Sequence, residues 1–291
     1  MSNAQLEKSD SVAASEVSLY RSLLKIKRQH ELGDLGIAFY DAETTVQWSY
    51  NADQYFHAAS TMKLAVLLGV FRQVERGELT LEAPVHVRNR FTSIVNQEPF
   101  MLDLGRDADP DVYGQLGKTM TVRELAFWMI TKSSNLATNL LVDVVGIGTI
   151  QSALDELEID GVKILRGVED QRAFEAGLNN EVTAHGLLKL LRLIADGRAY
   201  SQRACDEMLN ILLEQQFRSG IPAGLPKAAR VAHKTGNIST VHHDAGIVYL
   251  DKRKPYVLVI LTQFEPEHGR GTAVAEVSRD IFSTLANGAY D

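Results

Sequence analysis

Ser60-Thr-Met-Lys-Leu-Ala-Val-Leu-Leu-Gly-Val-Phe-Arg-Gln-Val-Glu75 is the stretch that decides the fold. Met62, Leu64, Val66, Leu67, Leu68, Val70, Phe71 and Val74 surround a helical axis almost completely. A helix apolar on all sides belongs at the centre of a fold. Its longest apolar run, Leu64–Phe71, falls far short of the roughly 20 residues a bilayer requires, so no membrane span is expected. Lys63 enters this segment one turn after Ser60. Burying a charged lysine is costly, which predicts a depressed pKa or a firm partner. Ser60 is expected where the helix begins, its hydroxyl meeting free N–H groups and the positive end of the helix dipole.

Outward from this helix, Leu35–Asp41 and Thr45–Tyr50 read as two strands of a hairpin, and residues 12–30 as an amphipathic helix. Residues 84–118 are irregular and rich in Asp, Gly and Pro, a long connection of the kind kept for function. Thr121-Val-Arg-Glu124 is a capping box opening a helix, and a second helix, Ala137–Val145, ends at Gly146. Thr183–Ala195 and Ser201–Glu214 are further helices opened by hydroxyl residues. Strands return at Arg230–Lys234, Ala245–Leu250 and Pro255–Phe264, and a helix over Thr272–Leu285 closes the chain. The pattern predicts an α+β fold: an antiparallel five-stranded sheet built from N- and C-terminal strands, flanked by helices, with an all-helical second lobe. By residue, 1–34 form an N-terminal extension with its helix and 35–291 one domain. Its sheet lobe comprises 35–59 plus 225–291, and its helical lobe 60–224.

Composition narrows the function. With 30 Lys+Arg against 37 Asp+Glu among 291 residues, the net charge of −7 argues against a nucleic-acid partner. Cys205 is the only cysteine, so no intramolecular disulfide or cysteine-based zinc site is available. The first 30 residues lack the basic start and apolar stretch of a signal peptide. Ser2-Asn3-Ala4 has the form of a residue left by a cleaved expression tag, so this lack says little about localisation.

No G-x-S-x-G, H-E-x-x-H or G-x-G-x-x-G is present, and Gly114-Gln-Leu-Gly117-Lys-Thr119 lacks the strand that a phosphate loop needs. His233, His242 and His243 with Asp244 invite a metal reading. Neighbouring strand residues point to opposite faces, however, so His242 and His243 cannot easily grip one ion and no metal site is expected. Three motifs remain: Ser60-Thr-Met-Lys63, Ser133-Ser-Asn135 and Lys234-Thr-Gly236. Ser22-Leu-Leu-Lys25 repeats the first in a surface helix with nothing to polarise its hydroxyl. Ser133 and Asn135 fall in a break between helices. Lys234-Thr-Gly is placed at the end of a strand, where Gly236 lets a substrate lie against the edge. Taken singly, Ser60 and Ser133 read more readily as helix caps, Lys63 as a snorkelling lysine and Asn135 as a turn residue than as functional groups.

In this order and setting the motifs resemble those of the class A β-lactamase-like serine hydrolases, from about Leu35 to the end of the chain. The resemblance implies that Ser60 is the acylated nucleophile, activated with Lys63, and that no cofactor takes part. It implies that Ser133 passes a proton to the leaving nitrogen and that Lys234 holds Ser133 and a substrate carboxylate. Asn135 would bond the substrate amide, Thr235 and Gly236 would line the substrate, and the N–H groups of Ser60 and Asn237 would form the oxyanion hole. Asn139 resembles a position that braces the loop of the deacylation carboxylate. Two departures stand out. Ser134 replaces the usual aspartate of the second motif, and the E-x-x-L-N loop is ambiguous: Glu175-Ala-Gly-Leu-Asn179 fits its letters, whereas Glu169 fits its distance to the helix at Thr183. Loop reach favours Glu169. Arg218 is a guess for a substrate-binding arginine. A monomeric, exported (periplasmic) enzyme acting on a small molecule, either a β-lactam or a cell-wall peptide, is expected. The alternatives are a D-Ala-D-Ala peptidase or small-ester hydrolase, and a catalytically silent domain on the same fold.

Overall fold

Apolar side chains at successive positions of the early and late strands require cover on both faces of a sheet. The computed structural model supplies both covers; it describes residues 3–107, 109–266 and 271–286, so Ser2 of the tag-like triplet lies outside it. The main-sheet strands, numbered in chain order, are β1 (Leu32–Asp41), β2 (Gln47–Tyr50), β3 (Arg230–Ile238), β4 (Val241–Tyr249) and β5 (Tyr256–Phe264). They pair antiparallel throughout, in the order β3-β4-β5-β1-β2. This is the five-stranded α+β arrangement read from the sequence. Ile37 lies opposite Ile260, and Lys234 opposite Ala245.

The helices are α1 (Asn3–Gln29), α2 (Lys63–Glu75), α3 (Val122–Thr131), α4 (Asn135–Val145) and α5 (Ile147–Glu156), then α6 (Gln171–Glu175), α7 (Ala184–Ala195), α8 (Gln202–Leu213) and α9 (Ala273–Ile281). One face of the sheet, with Leu35, Ile37, Phe39, Leu258 and Ile260, packs on Leu19, Leu23 and Ile26 of α1 and on Val274, Val277 and Ile281 of α9. The other face presents smaller residues, among them Ala38, Ala232, Ala245 and Val259, to the helical core. Each large side chain buried this way contributes roughly 1.5–3 kcal/mol over leaving it exposed. α2 runs through the middle of that core, buried from Lys63 to Phe71. A Cβ on its Gly69 would meet Ile150 Cγ1 at 2.8 Å, so the glycine is what lets α2 and α5 approach.

At the three motifs the boundaries differ from the sequence reading. Ser60 does not begin α2: it sits in a 3₁₀ turn, Ala59–Met62, and α2 starts at Lys63 with no side-chain cap. The turn forms because Thr61 bonds back to the Ala58 carbonyl through both its N–H (3.1 Å) and its hydroxyl (2.6 Å). The third motif does not end a strand either, since β3 continues through Gly236 to Ile238 in register with β4. The second motif's Asn135 is the first residue of α4, not part of the break before it. The capping box at Thr121 is present, with Glu124 accepting the Thr121 N–H at 2.7 Å.

Candidate active site

A cleft of about 340 Å³ opens beside the edge strand β3, and the first two motifs reach it through Ser60 and Asn135, while Lys63, Ser133, Lys234, Thr235 and Gly236 lie behind its lining. Ser60, Asn135, Glu169 and Asn237 all line it. Ser60 is presented by the 3₁₀ turn, which packs on β3 so closely that a Cβ on Gly236 would lie 3.0 Å from Thr61 Cγ2 and 3.2 Å from the Ala58 carbonyl oxygen. The absence of a side chain at position 236 therefore seats the serine turn against the strand. From the other side, buried His243 accepts the Thr262 N–H at Nδ1 (3.1 Å), so its Nε2 carries the proton donated to the His57 carbonyl (3.0 Å). Burial lowers the pKa of this imidazole to about 4, keeping it neutral.

Lys63 is fully buried and donates to the Ser133 carbonyl (2.7 Å), to Ser133 Oγ (3.1 Å) and to Asn135 Oδ1 (2.9 Å). Burial lowers its pKa from 10.5 to about 7, against the opposing pull of the Asp107 and Glu169 carboxylates. Both features anticipated for a lysine in that helix, a depressed pKa and firm partners, are present. Lys234, equally buried, donates to Ser133 Oγ (3.1 Å) and to the Thr235 carbonyl (2.9 Å). Burial, and then the nearby Lys63, hold its pKa well below the ordinary lysine value, while Asp244 acts the other way. Ser133 thus stands between two lysines. It adopts a left-handed backbone (φ 58°), a conformation that costs a non-glycine residue of order 1 kcal/mol and that clusters at functional sites.

The link continues through Asn135, whose Nδ2 donates to Glu169 Oε1 at 2.8 Å. Glu169 Oε2 accepts from the Asp103 N–H (3.2 Å). Glu175, in α6, is exposed, accepts from Gln171 (3.0 Å) and lies outside the cleft lining. The loop carrying Glu169 is held at its neck by Arg166, which donates to the Leu178 carbonyl (2.8 Å), Asn179 Oδ1 (2.9 Å) and the Gly167 carbonyl (3.1 Å). Asn139 braces it from α4: its Nδ2 donates to the Val168 carbonyl (2.9 Å) and its Oδ1 accepts the Val168 N–H (2.7 Å). Asn139→Ala should strand both groups, cost about 2 kcal/mol and lower Tm by roughly 4–8 °C in a thermal melt. An unchanged Tm would show that the brace carries no stability.

Arg218 is exposed and outside the cleft lining, whereas Arg106 and Arg166 are among the lining residues. His233 bonds Asp244 (2.8 Å) within the core, and Asp244 also accepts the Ile221 N–H (2.8 Å). Among the described residues, no group of three or more His, Cys, Asp or Glu side chains could hold a metal ion. Ser134, fully buried, is the N-cap of α4, accepting the Ala137 N–H at 3.3 Å. Sequence reasoning missed Arg106, Arg166, Asp103 and Asp107. Only the length of the 84–118 connection hinted at Asp103, Arg106 and Asp107.

A family model described as the β-lactamase enzyme family matches residues 18–285. A β-lactamase of Bacteroides uniformis is 26% identical over 257 residues, covering 81% of this chain and 81% of its own length. The β-lactamase CARB-4 of Pseudomonas aeruginosa is 22% identical over 261 residues, covering 87% and 85%. Among solved structures, a β-lactamase from Sphaerobacter thermophilus superposes with a TM-score of 0.76 at 24% identity, covering 97% of this chain and 98% of that one. A mutant of PBP-A, solved as its acyl-enzyme complex with penicillin G, gives a TM-score of 0.77 at 26% identity, covering 92% and 96%.

Proposed function

The chain belongs to the β-lactamase enzyme family, and from that premise we propose that it is a serine β-lactamase of the class A type, opening the β-lactam amide through an acyl-enzyme on Ser60. The observation that carries this reading is the unbroken series of bonds Lys234–Ser133–Lys63–Asn135–Glu169, whose last two members line the same cleft as Ser60.

Neutral Lys63 has two N–H groups and a lone pair, so it releases one of its three donor contacts and takes the Ser60 proton as Oγ attacks the lactam carbonyl carbon. The C–N bond breaks, Ser133 gives its proton to the departing nitrogen, and Lys63 reprotonates Ser133 across their 3.1 Å contact. The backbone N–H groups of Ser60 and Asn237 meet the charge developing on the carbonyl oxygen. Lys234, with Thr235, receives the substrate carboxylate, Asn135 its amide side chain, and Gly236 keeps the serine turn seated against β3. Glu169 then takes a proton from water, the hydroxide attacks the ester, and the proton returns to Ser60 as it leaves. By the same reading the protein works outside the cytoplasm, in the periplasm or an equivalent exported location, where β-lactams are met, and it confers resistance to them.

Mixing the protein with a penicillin and with a chromogenic cephalosporin, while following absorbance and intact mass, tests this. The expected result is a colour change with only a transient gain in mass. A stable adduct without turnover would replace the reading with a D-Ala-D-Ala peptidase or other penicillin-binding activity. No adduct with either compound would overturn it, and a panel of small esters would then separate an esterase from a silent domain.

A further inference from the structure

The first N–H groups of any helix lack partners within the helix and must find them elsewhere. In α4 they are divided between two residues distant in sequence. Ser134 Oγ takes only the Ala137 N–H. The Asn135 N–H goes to both carboxylate oxygens of Asp107 (3.0 and 2.9 Å), and the Leu136 N–H to Asp107 Oδ2 (3.0 Å). Asp107 comes from the long irregular connection. A carboxylate at that spot is stabilised by the helix dipole as well as by the two donors. Asn135 is also the residue whose side chain joins Lys63 to Glu169. Fixing its backbone N–H fixes where that side chain starts.

We infer that Asp107 is a positioning residue of this site: its carboxylate holds the first turn of α4 and, through it, the Asn135 bridge between Lys63 and Glu169. The charge of Asp107 also bears on Lys63 directly. The groups facing Lys63 are Asp107 and Glu169, which favour its charged form, Lys234, which is of like charge, and the Ser133 and Asn135 oxygens that accept from it. Removing one of the two carboxylates moves the Lys63 titration to lower pH.

The inference rests on the function proposed above for any statement about turnover, so the test has two readouts. In Asp107→Ala, kcat with a chromogenic cephalosporin should fall by about 10- to 100-fold, more than KM rises, as expected when a reacting group is displaced by about 1 Å. Asp107→Ala combined with Ser134→Asp returns a carboxylate to the cap position, within reach of the Leu136 and Ala137 N–H groups but not of the Asn135 N–H, and should recover part of the loss. In Asp107→Asn, which keeps the shape and removes the charge, Lys63 followed by NMR of its labelled ε-carbon should titrate below the unmutated value of about 7. That titration needs no substrate. A protein inactive toward every β-lactam would therefore defeat the proposed function while leaving Asp107 still decided by Lys63. A fall in Tm with the Lys63 titration unmoved, and kcat unmoved wherever there is turnover, would reduce Asp107 to a plain helix cap and overturn the inference.

Discussion

Glu169→Gln should turn the protein into a trap: with penicillin, Ser60 is expected to acylate at close to the normal rate and the adduct then to persist, with deacylation reduced by about 10³-fold. The expectation comes from placement. Glu169 lines the cleft with Ser60 and is held by two N–H donors, one on each oxygen, from Asn135 and Asp103. A carboxylate with both oxygens anchored can take a proton from a water without first searching for its position. The carboxamide of glutamine can satisfy only one of those donors, so Glu169→Ala run alongside separates loss of the base from a shifted loop. Glu175→Ala is the internal comparison. Its side chain is exposed on α6 and engaged only locally with Gln171, so turnover should stay within about twofold, as for a surface change that touches no reacting group. Rapid quench with intact-mass detection reads both steps. If Glu169→Gln deacylates normally while Glu175→Ala accumulates adduct, the assignment of the base is reversed.

How far the letters reach is itself explained by this pair. Glu175 has the better motif, Glu169 the better distance, and in the fold it is the distance that corresponds to the cleft. Buried polar residues in apolar surroundings were legible, since a lysine beside Leu64 or at the end of Val231-Ala-His233 needs a reason to be there. So were the strands, whose apolar runs need two covered faces. Other features were not. α5 follows directly on Gly146 (φ 82°), and Ile147-Gly-Thr149 carries no hydroxyl cap to announce a second helix. The extent of β3 was hidden because Lys234-Thr-Gly-Asn237 lacks the composition of a strand; it is held there by pairing with β4. Asp103, Asp107, Asp109 and Asp111 are equivalent on paper. Nothing local says that Asp107 folds back onto a helix 28 residues later, because that contact is set by tertiary packing.

Ser60→Ala should abolish the covalent adduct with every β-lactam and reduce turnover by about 10⁴-fold or more, since a nucleophile's loss removes the whole acyl-enzyme route. Its fold should be unchanged, because Thr61, not Ser60, makes the bonds to Ala58 that hold the turn. Lys63 gives the sharper test. Its pKa, lowered by burial to about 7, leaves a large neutral fraction at physiological pH able to receive the serine proton. In the proposed mechanism the neutral form is the active one, so acylation should rise with pH through about 7 and fall roughly tenfold per unit below it. Lys63→Arg keeps a cation and hydrogen-bond donors but cannot give up its proton. Acylation should then drop by about 10³-fold and lose its acid limb. Lys63→Ala, run in parallel, shows whether the larger guanidinium has simply disturbed the buried site. If Lys63→Arg acylates at the normal rate with the limb still near pH 7, another group takes the serine proton and the role of Lys63 is confined to holding Ser133 and Asn135 in place.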